Sequence, residues 1–211
     1  MSTFGIQHYD AFLFACLALS LTPGLDTFYI LTRSGREGHA VGLAAALGIN
    51  AGCIAHTLAA VLGISAILMA SSLAFSILKY LGAAYLIWIG VRMLLSRATT
   101  RQPTETRGRG LNAAFRQGML TNVLNPKVTL FYLAFLPQFV STFAPHPHLG
   151  LMVLGLSYIG TNIAWTAVLA LTGGRIHRLL TAQPRLGQWM DRLCGTVLLG
   201  FGIKLALQQR H

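Results

Sequence analysis

Asn125, Pro126 and Lys127 stand inside a run, Leu120 to Pro137, that is otherwise apolar enough to enter a bilayer. A charged side chain near a bilayer centre costs roughly 2.5 kcal/mol or more, and a proline there removes a helix hydrogen bond, so this triplet points to a site. The stretch Thr22, Pro23, Gly24, Leu25, Asp26 has the same plan: a capping residue before a proline and an ionisable residue after it. Phe28 and Tyr29 follow Pro23 at the spacing with which Phe131 and Tyr132 follow Pro126. Asn125 before Pro126, and Thr22 before Pro23, fit an N-cap followed by the first helical position. A helix restarting there turns backbone N–H groups into the break, where they favour a carboxylate. Carbonyls just before the break, at positions such as Leu21 and Leu124, are then open to an ammonium. Proline kinks with only a mechanical role are the plainer explanation. Breaks at matching positions of two halves favour a binding site.

Asp26 is the only carboxylate well inside an apolar segment, and Lys127 is similarly deep. Neither reaches water without cost, so they pair with each other or contact a substrate and a coupling proton. Asn50 and His56, nearly two turns apart in one segment, are candidates to line a cavity, although a satisfied core histidine explains His56 equally well. Asn162 and Trp165 share a helix face and offer an amide and an aromatic wall. Lys204 is also deep, whereas Arg92 is near enough to a segment end to snorkel.

These residues need membrane helices to hold them. The chain has 211 residues, 54% hydrophobic and only 10% charged, against about 25% charged in a soluble domain. Six apolar segments are long enough to span: about 9–31, broken at Pro23, then 41–70, 75–95, 118–140, 149–173 and 193–207. Met1 to Asp10 carry no lysine or arginine, so the first segment is expected to be retained as a span. The net charge of +11 falls mainly between spans and reads as topology, not as a nucleic-acid surface. Arg33 and Arg36, the arginines from Arg97 to Arg116, and Arg175, Arg178, Arg185 and Arg192 all lie on one side, against Arg210 on the other. The basic loops are therefore expected in the cytoplasm and both termini outside it. Ser96 to Asn112 is basic and lacks apolar periodicity, which suggests a cytoplasmic linker over residues 96–112. It joins two three-helix repeats, 1–95 and 113–211, and an odd number of spans per repeat forces opposite orientations. A second internal match, Ile89-Gly90-Val91-Arg92 with Phe201-Gly202-Ile203-Lys204, supports the duplication. The expected fold is thus an all-α membrane protein of six transmembrane helices in two inverted repeats, with spans 1 and 4 broken. Gly38, Gly42, Gly48 and Gly52 let helices approach closely, within the chain or in a homodimer.

The motifs Thr22-Pro23-Gly24-x-Asp26, Leu81-Gly82-Ala83-Ala84-Tyr85, Asn122-x-x-Asn125-Pro126-Lys127 and Phe135-Leu136-Pro137-Gln138-Phe139 resemble the LysE/RhtB family of amino-acid exporters along nearly the whole chain. The resemblance implies a secondary exporter of amino acids or close derivatives in the bacterial inner membrane, driven by protons through alternating access. Family members commonly carry Pro-Gly-Pro where this chain has Pro23-Gly24-Leu25. On this reading Lys127 and the helix start after Asn125 take the substrate carboxylate. Asp26 and the carbonyls before Pro23 take the ammonium, or Asp26 carries the proton. Thr22, Pro23, Gly24, Asn50, His56, Asn122, Pro126, Asn162 and Trp165 complete the expected site.

Other classes fit less well. Cys16, Cys53 and Cys194 lack paired spacing for a disulfide or zinc site, and Cys16 has no counterpart in span 4, which argues against a redox carrier. Divalent-metal efflux, suggested by His56 and by His146 with His148, is the alternative transport reading, but histidines without an acidic cluster suit hard cations poorly. No nucleophile motif or paired intramembrane aspartates suggest a hydrolase. Neither enzyme activity nor a cofactor is expected.

Overall fold

The computed structural model describes residues 4–64, 72–95, 110–141 and 144–207, and every named element among them is a helix. In chain order these are α1 (Tyr9–Leu21), α2 (Leu25–Glu37), α3 (His39–Ala59), α4 (Ser72–Leu94), α5 (Leu111–Val123), α6 (Pro126–Leu130), α7 (Pro147–Ala182) and α8 (Pro184–Leu207). A π-helical turn, Ala60–Ile64, prolongs α3, while α6 runs on through a π turn, Phe131–Phe135, into a 3-10 turn, Leu136–Phe139. The helices from His39 to Gly63 and from Pro147 to Ile176 are each long and apolar enough to cross a membrane. α1 and α2 pass the same test as a pair bent by 50°. Most of the 96–112 linker lies outside the described residues, as does the end of the second apolar segment.

The outer surface carries large apolar side chains, among them Leu47, Leu62 and Leu124, each more than half exposed. In water such a surface would aggregate; against lipid tails it is the expected coat. Polar residues lie inside instead: Asn50, Asn122, Asn125, Asn162 and Thr166 are all buried. α3 runs through the middle, against α2, α5 and α7, while α4 pairs with α8. Backbone contact holds these crossings. A Cβ at Gly48 would lie 2.0 Å from the Phe115 carbonyl oxygen on α5, so only glycine permits that approach. Gly42 presses on Ser34 and Gly52 on Asn122 in the same way, so this small-residue face is used within the chain. At one end a short strap ties the N-terminal residues to the segment after α6, with Gln7 N donating to Phe139 O (2.9 Å) and Ser141 N to Gly5 O (2.8 Å).

Three boundaries differ from the sequence expectation. α5 begins at Leu111, α7 continues to Ala182 and α8 starts at Pro184. Arg116, Arg175, Arg185 and Arg192 therefore ride on helix extensions, and only Gln183 separates α7 from α8. Helices are stable beyond the apolar core wherever they still pack, so an apolar run marks the buried stretch rather than the helix.

Candidate substrate-binding site

The two breaks follow from one rule. In an α-helix the carbonyl of residue i accepts from the N–H of residue i+4, and proline has no N–H. Pro23 therefore leaves the Leu19 carbonyl without its helical donor, and Pro126 does the same to Asn122. At the first break α1 ends with Thr22 in extended conformation (φ −66°, ψ 115°), and α2 starts two residues later from Gly24. Thr22 thus closes α1, its hydroxyl donating to Ala18 O (2.7 Å), instead of capping α2 as the sequence pattern suggested. The unit of the motif is a helix end followed by a proline-glycine corner. At the second break Asn125 is an N-cap as expected, with Oδ1 accepting from Lys127 N (3.1 Å) and Pro126 in the first turn.

The Leu19 carbonyl has found its donor on another helix, whereas the Asn122 carbonyl accepts from Asn125 N (3.0 Å) in its own turn and has a further partner on another helix. Lys127 Nζ donates to Leu19 O and to Thr22 O, both at 3.1 Å. His56 Nε2 lies 3.3 Å from Asn122 O, which as a carbonyl can only accept. The ring of His56 also stacks on Tyr132, with centroids 5.4 Å apart. Asp26 Oδ2 accepts from Asn122 Nδ2 at 2.8 Å, and the charge of Lys127 acts on the same carboxylate. The Asn125 amide lies beside it as well. Beyond this mutual approach, Asp26 Oδ1 and Asn125 Nδ2 are both buried with no other hydrogen-bond partner. A buried polar atom left unpaired costs on the order of 1–3 kcal/mol, so a carboxylate and an amide that have only each other point to a ligand.

A ladder of amides leads away from this point. Cys53 Sγ approaches Asn122 Oδ1 (3.6 Å), and Asn162 Nδ2 approaches Cys53 Sγ (3.8 Å) and donates to Asn50 Oδ1 (3.0 Å). Asn50 Nδ2 then donates to Thr166 Oγ1 (3.0 Å). The network joins α2, α5, α3 and α7. Of the expected site residues, Thr22, Pro23, Gly24, Asp26, Asn122, Asn125, Pro126, Lys127 and His56 converge at the breaks, and Asn50 and Asn162 extend them. Trp165 does not join. It packs beside the separate cluster of Tyr29, Ile30, Ala45 and Leu169, and its Nε1 is buried without a partner.

Two expectations about donors and acceptors change. The restarted helix does not turn its first N–H groups into the break, because Lys127 N goes to Asn125 Oδ1 and both Val128 N (3.1 Å) and Thr129 N (3.0 Å) go to Asn125 O. Asn125 saturates the turn it begins. Nor do the acceptors before Pro23 stand open, since Lys127 holds Leu19 and Thr22. Among the described residues no group of three or more His, Cys, Asp or Glu is placed to hold a metal.

Residues 17–209 match the family model described as LysE type translocator. The chain belongs to the LysE-type translocator family. A leucine efflux protein of Klebsiella pneumoniae is 28% identical over 207 residues, covering 98% of both chains. The leucine efflux protein of Salmonella typhimurium is 28% identical over 208 residues with the same coverage. An uncharacterised membrane protein of Pseudomonas aeruginosa reaches 32% over 211 residues, again 98% of each chain. No solved structure matches. As a LysE-type translocator the chain is a multi-pass membrane transport protein and not an enzyme.

Three contributors to this translocator's polar interior escaped the sequence reading. Cys53, weighed in the sequence only against disulfide and zinc spacing, lies three residues from both Asn50 and His56, a spacing that puts it on their face and was the available signal. Thr57 Oγ1, whose own hydrogen goes to Cys53 O (2.9 Å), shares a hydrogen bond with Tyr132 Oη (3.1 Å) and so steadies the ring on which His56 stacks. Arg33, counted as a loop charge, is fully buried and ion-paired with Glu37, with Nε donating to Tyr29 Oη (3.2 Å) and Nη2 to Gln117 Oε1 (3.4 Å). Tyr29 in turn donates to Ala114 O (2.9 Å), which fastens α2 to α5. Only the long-range contact with α5 distinguishes Arg33 from an exposed arginine.

Proposed function

We propose that this translocator is a secondary active exporter of amino acids or close derivatives, working by alternating access with a proton as coupling ion. The observation that carries the reading is the pair Asp26 Oδ1 and Asn125 Nδ2: a carboxylate acceptor and an amide donor, buried side by side at the two breaks with no partner beyond each other. A zwitterion supplies the missing partner of each, its ammonium to Asp26 and its carboxylate to Asn125, with the Lys127 ammonium at hand. The leucine efflux relatives support an apolar amino acid as substrate. Asp26 also serves as the proton carrier, since protonating it weakens its hold on an ammonium.

The membrane arrangement belongs to the same proposal. Six spans form two inverted repeats, 1–95 and 113–211, joined by the linker 96–112 in the cytoplasm, with both termini outside it and the whole in the bacterial cytoplasmic membrane. The matched proline breaks and the one-sided arginines support it. A homodimer, one of the two uses that the sequence left open for the α3 glycines, would have to use another face, since these glycines are occupied within the chain.

The test uses cells lacking their own exporters, loaded with a panel of dipeptides. Released amino acids are assayed for wild type and for Asp26→Asn at equal membrane level. We expect leucine or a similar apolar amino acid to leave faster with the wild type alone. Release no faster than from empty membranes for every amino acid sinks the reading.

A further inference from the structure

The acceptors at the first break are arranged for one particular kind of donor. Leu19 O is orphaned by Pro23, and Thr22 O points out of a non-helical residue; both lie 3.1 Å from a single nitrogen, Lys127 Nζ. The charge of Asp26 faces the same nitrogen from the first turn of α2. Gly24 closes the remaining side so tightly that a Cβ there would lie 3.3 Å from Nζ. A tetrahedral ammonium with donors directed at the two carbonyls, and with the Asp26 carboxylate near enough to act on its charge, fits this nest. A planar guanidinium does not match it, and a methyl group on the nitrogen would collide with the Gly24 backbone or displace a carbonyl.

We infer that the α1–α2 break is a binding site for one primary ammonium, which Lys127 supplies until the ammonium of a substrate takes its place. The inference rests on the exporter reading and specifies its chemistry. Lys127 reaches the break from α6 on a four-carbon stem, so it withdraws by rotamer changes without moving a helix. Charge accounting selects the substrate class. A zwitterion adds no net charge: its ammonium replaces Lys127 beside Asp26, and the released Lys127 joins Asn125 Nδ2 on its carboxylate. A simple amine would leave Lys127 buried with no counter-charge, and an N-acylated amino acid brings no ammonium to displace it. The site therefore accepts free primary amino acids and refuses amines, acylated derivatives and N-methylated ones.

Chemical rescue tests this directly. Lys127→Ala leaves the nest without its ammonium and opens the space of the deleted stem, so ethylammonium is the probe and tetramethylammonium the control at equal ionic strength. For the detergent-purified variant, ethylammonium is expected to raise the unfolding temperature by about 2–4 °C. Tetramethylammonium should leave it unmoved, and wild type should respond to neither. Equal effects of the two cations, or an equal shift in wild type, overturn the inference. Should the variant not fold, leucine and its N,N,N-trimethyl derivative are compared as competitors of export by wild type; competition by leucine alone upholds the inference and equal competition overturns it. The two levels separate cleanly. A wild type that exports no amino acid defeats the exporter reading, whereas a wild type that exports while Lys127→Ala ignores ethylammonium defeats only this inference.

Discussion

The two breaks have the same cause and different partners. Each begins with a proline that orphans a carbonyl one turn earlier, Leu19 in one case and Asn122 in the other. The first is answered by Lys127, a cation on a long, rotatable stem anchored in another helix. The second is answered locally by Asn125 N, which closes a tighter turn on Asn122 O, and in addition by His56, a ring held flat against Tyr132 and unable to withdraw without losing that contact. One break thus has a removable partner and the other a fixed one. The comparison teaches that a proline marks where a helix gives up a donor, while the nature of the replacement decides whether the gap works or only holds.

The comparison is broken most severely by removing the charge that the movable partner faces. Asp26→Asn keeps the shape and the neighbour Asn122 but leaves Lys127 without its anion. Losing one member of a buried pair costs about 3–5 kcal/mol, so export measured from dipeptide-loaded cells should fall by about 100-fold or more.

A smaller and paired effect comes from restoring the missing donors. Pro23→Ala returns an N–H to Leu19 O, where it competes with a charge-assisted hydrogen bond worth about 1.5–3 kcal/mol. We expect export to drop by about 10-fold. Pro126→Ala returns one to Asn122 O, which already accepts from Asn125 N and has His56 beside it, and should cost only about 3-fold. Equal losses in the two variants, in parallel assays at matched membrane level, would remove the distinction between the breaks.

An effect comparable with that of Pro126→Ala sharpens the picture of the fixed partner. His56→Phe keeps the stack on Tyr132 and deletes only the hydrogen bond to Asn122 O. A single hydrogen bond contributes about 1 kcal/mol, so a loss of export of about 3-fold to 5-fold is expected, with no change in which amino acids compete. Altered selectivity would show that the ring touches substrate.

What the sequence made legible was local. A proline, an asparagine and a lysine in an apolar run are conspicuous because a bilayer penalises each, so both breaks, and Asp26 with Lys127, could be read without coordinates. The partner of each group could not. Lys127 and Leu19 are separated by 108 positions, and Asn122 and Asp26 by 96; no local pattern encodes such pairings. The same reason hid Arg33, whose burial depends on Gln117 and on the Ala114 carbonyl that holds Tyr29. Donor direction failed differently. The N–H groups after Pro126 were expected to face the break, but Asn125 sits close enough to take them itself. Helix ends were misjudged where arginines and polar residues continue a helix beyond its apolar stretch, as at Leu111 and Pro184.

The polar groups of the first break have one more consequence, which concerns the order in which the chain is made. Asp26, Leu19 and Thr22 leave the ribosome long before Asn122 and Lys127 exist, so α1 and α2 enter the membrane with an unescorted carboxylate and two bare carbonyls. The first half is therefore an unfinished object during synthesis, dependent on water or the insertion machinery to shelter Asp26 until the second half arrives. Expressed alone it should be cleared by proteolysis, and supplied together with the separately made second half it should survive, because each half carries the other's missing partners.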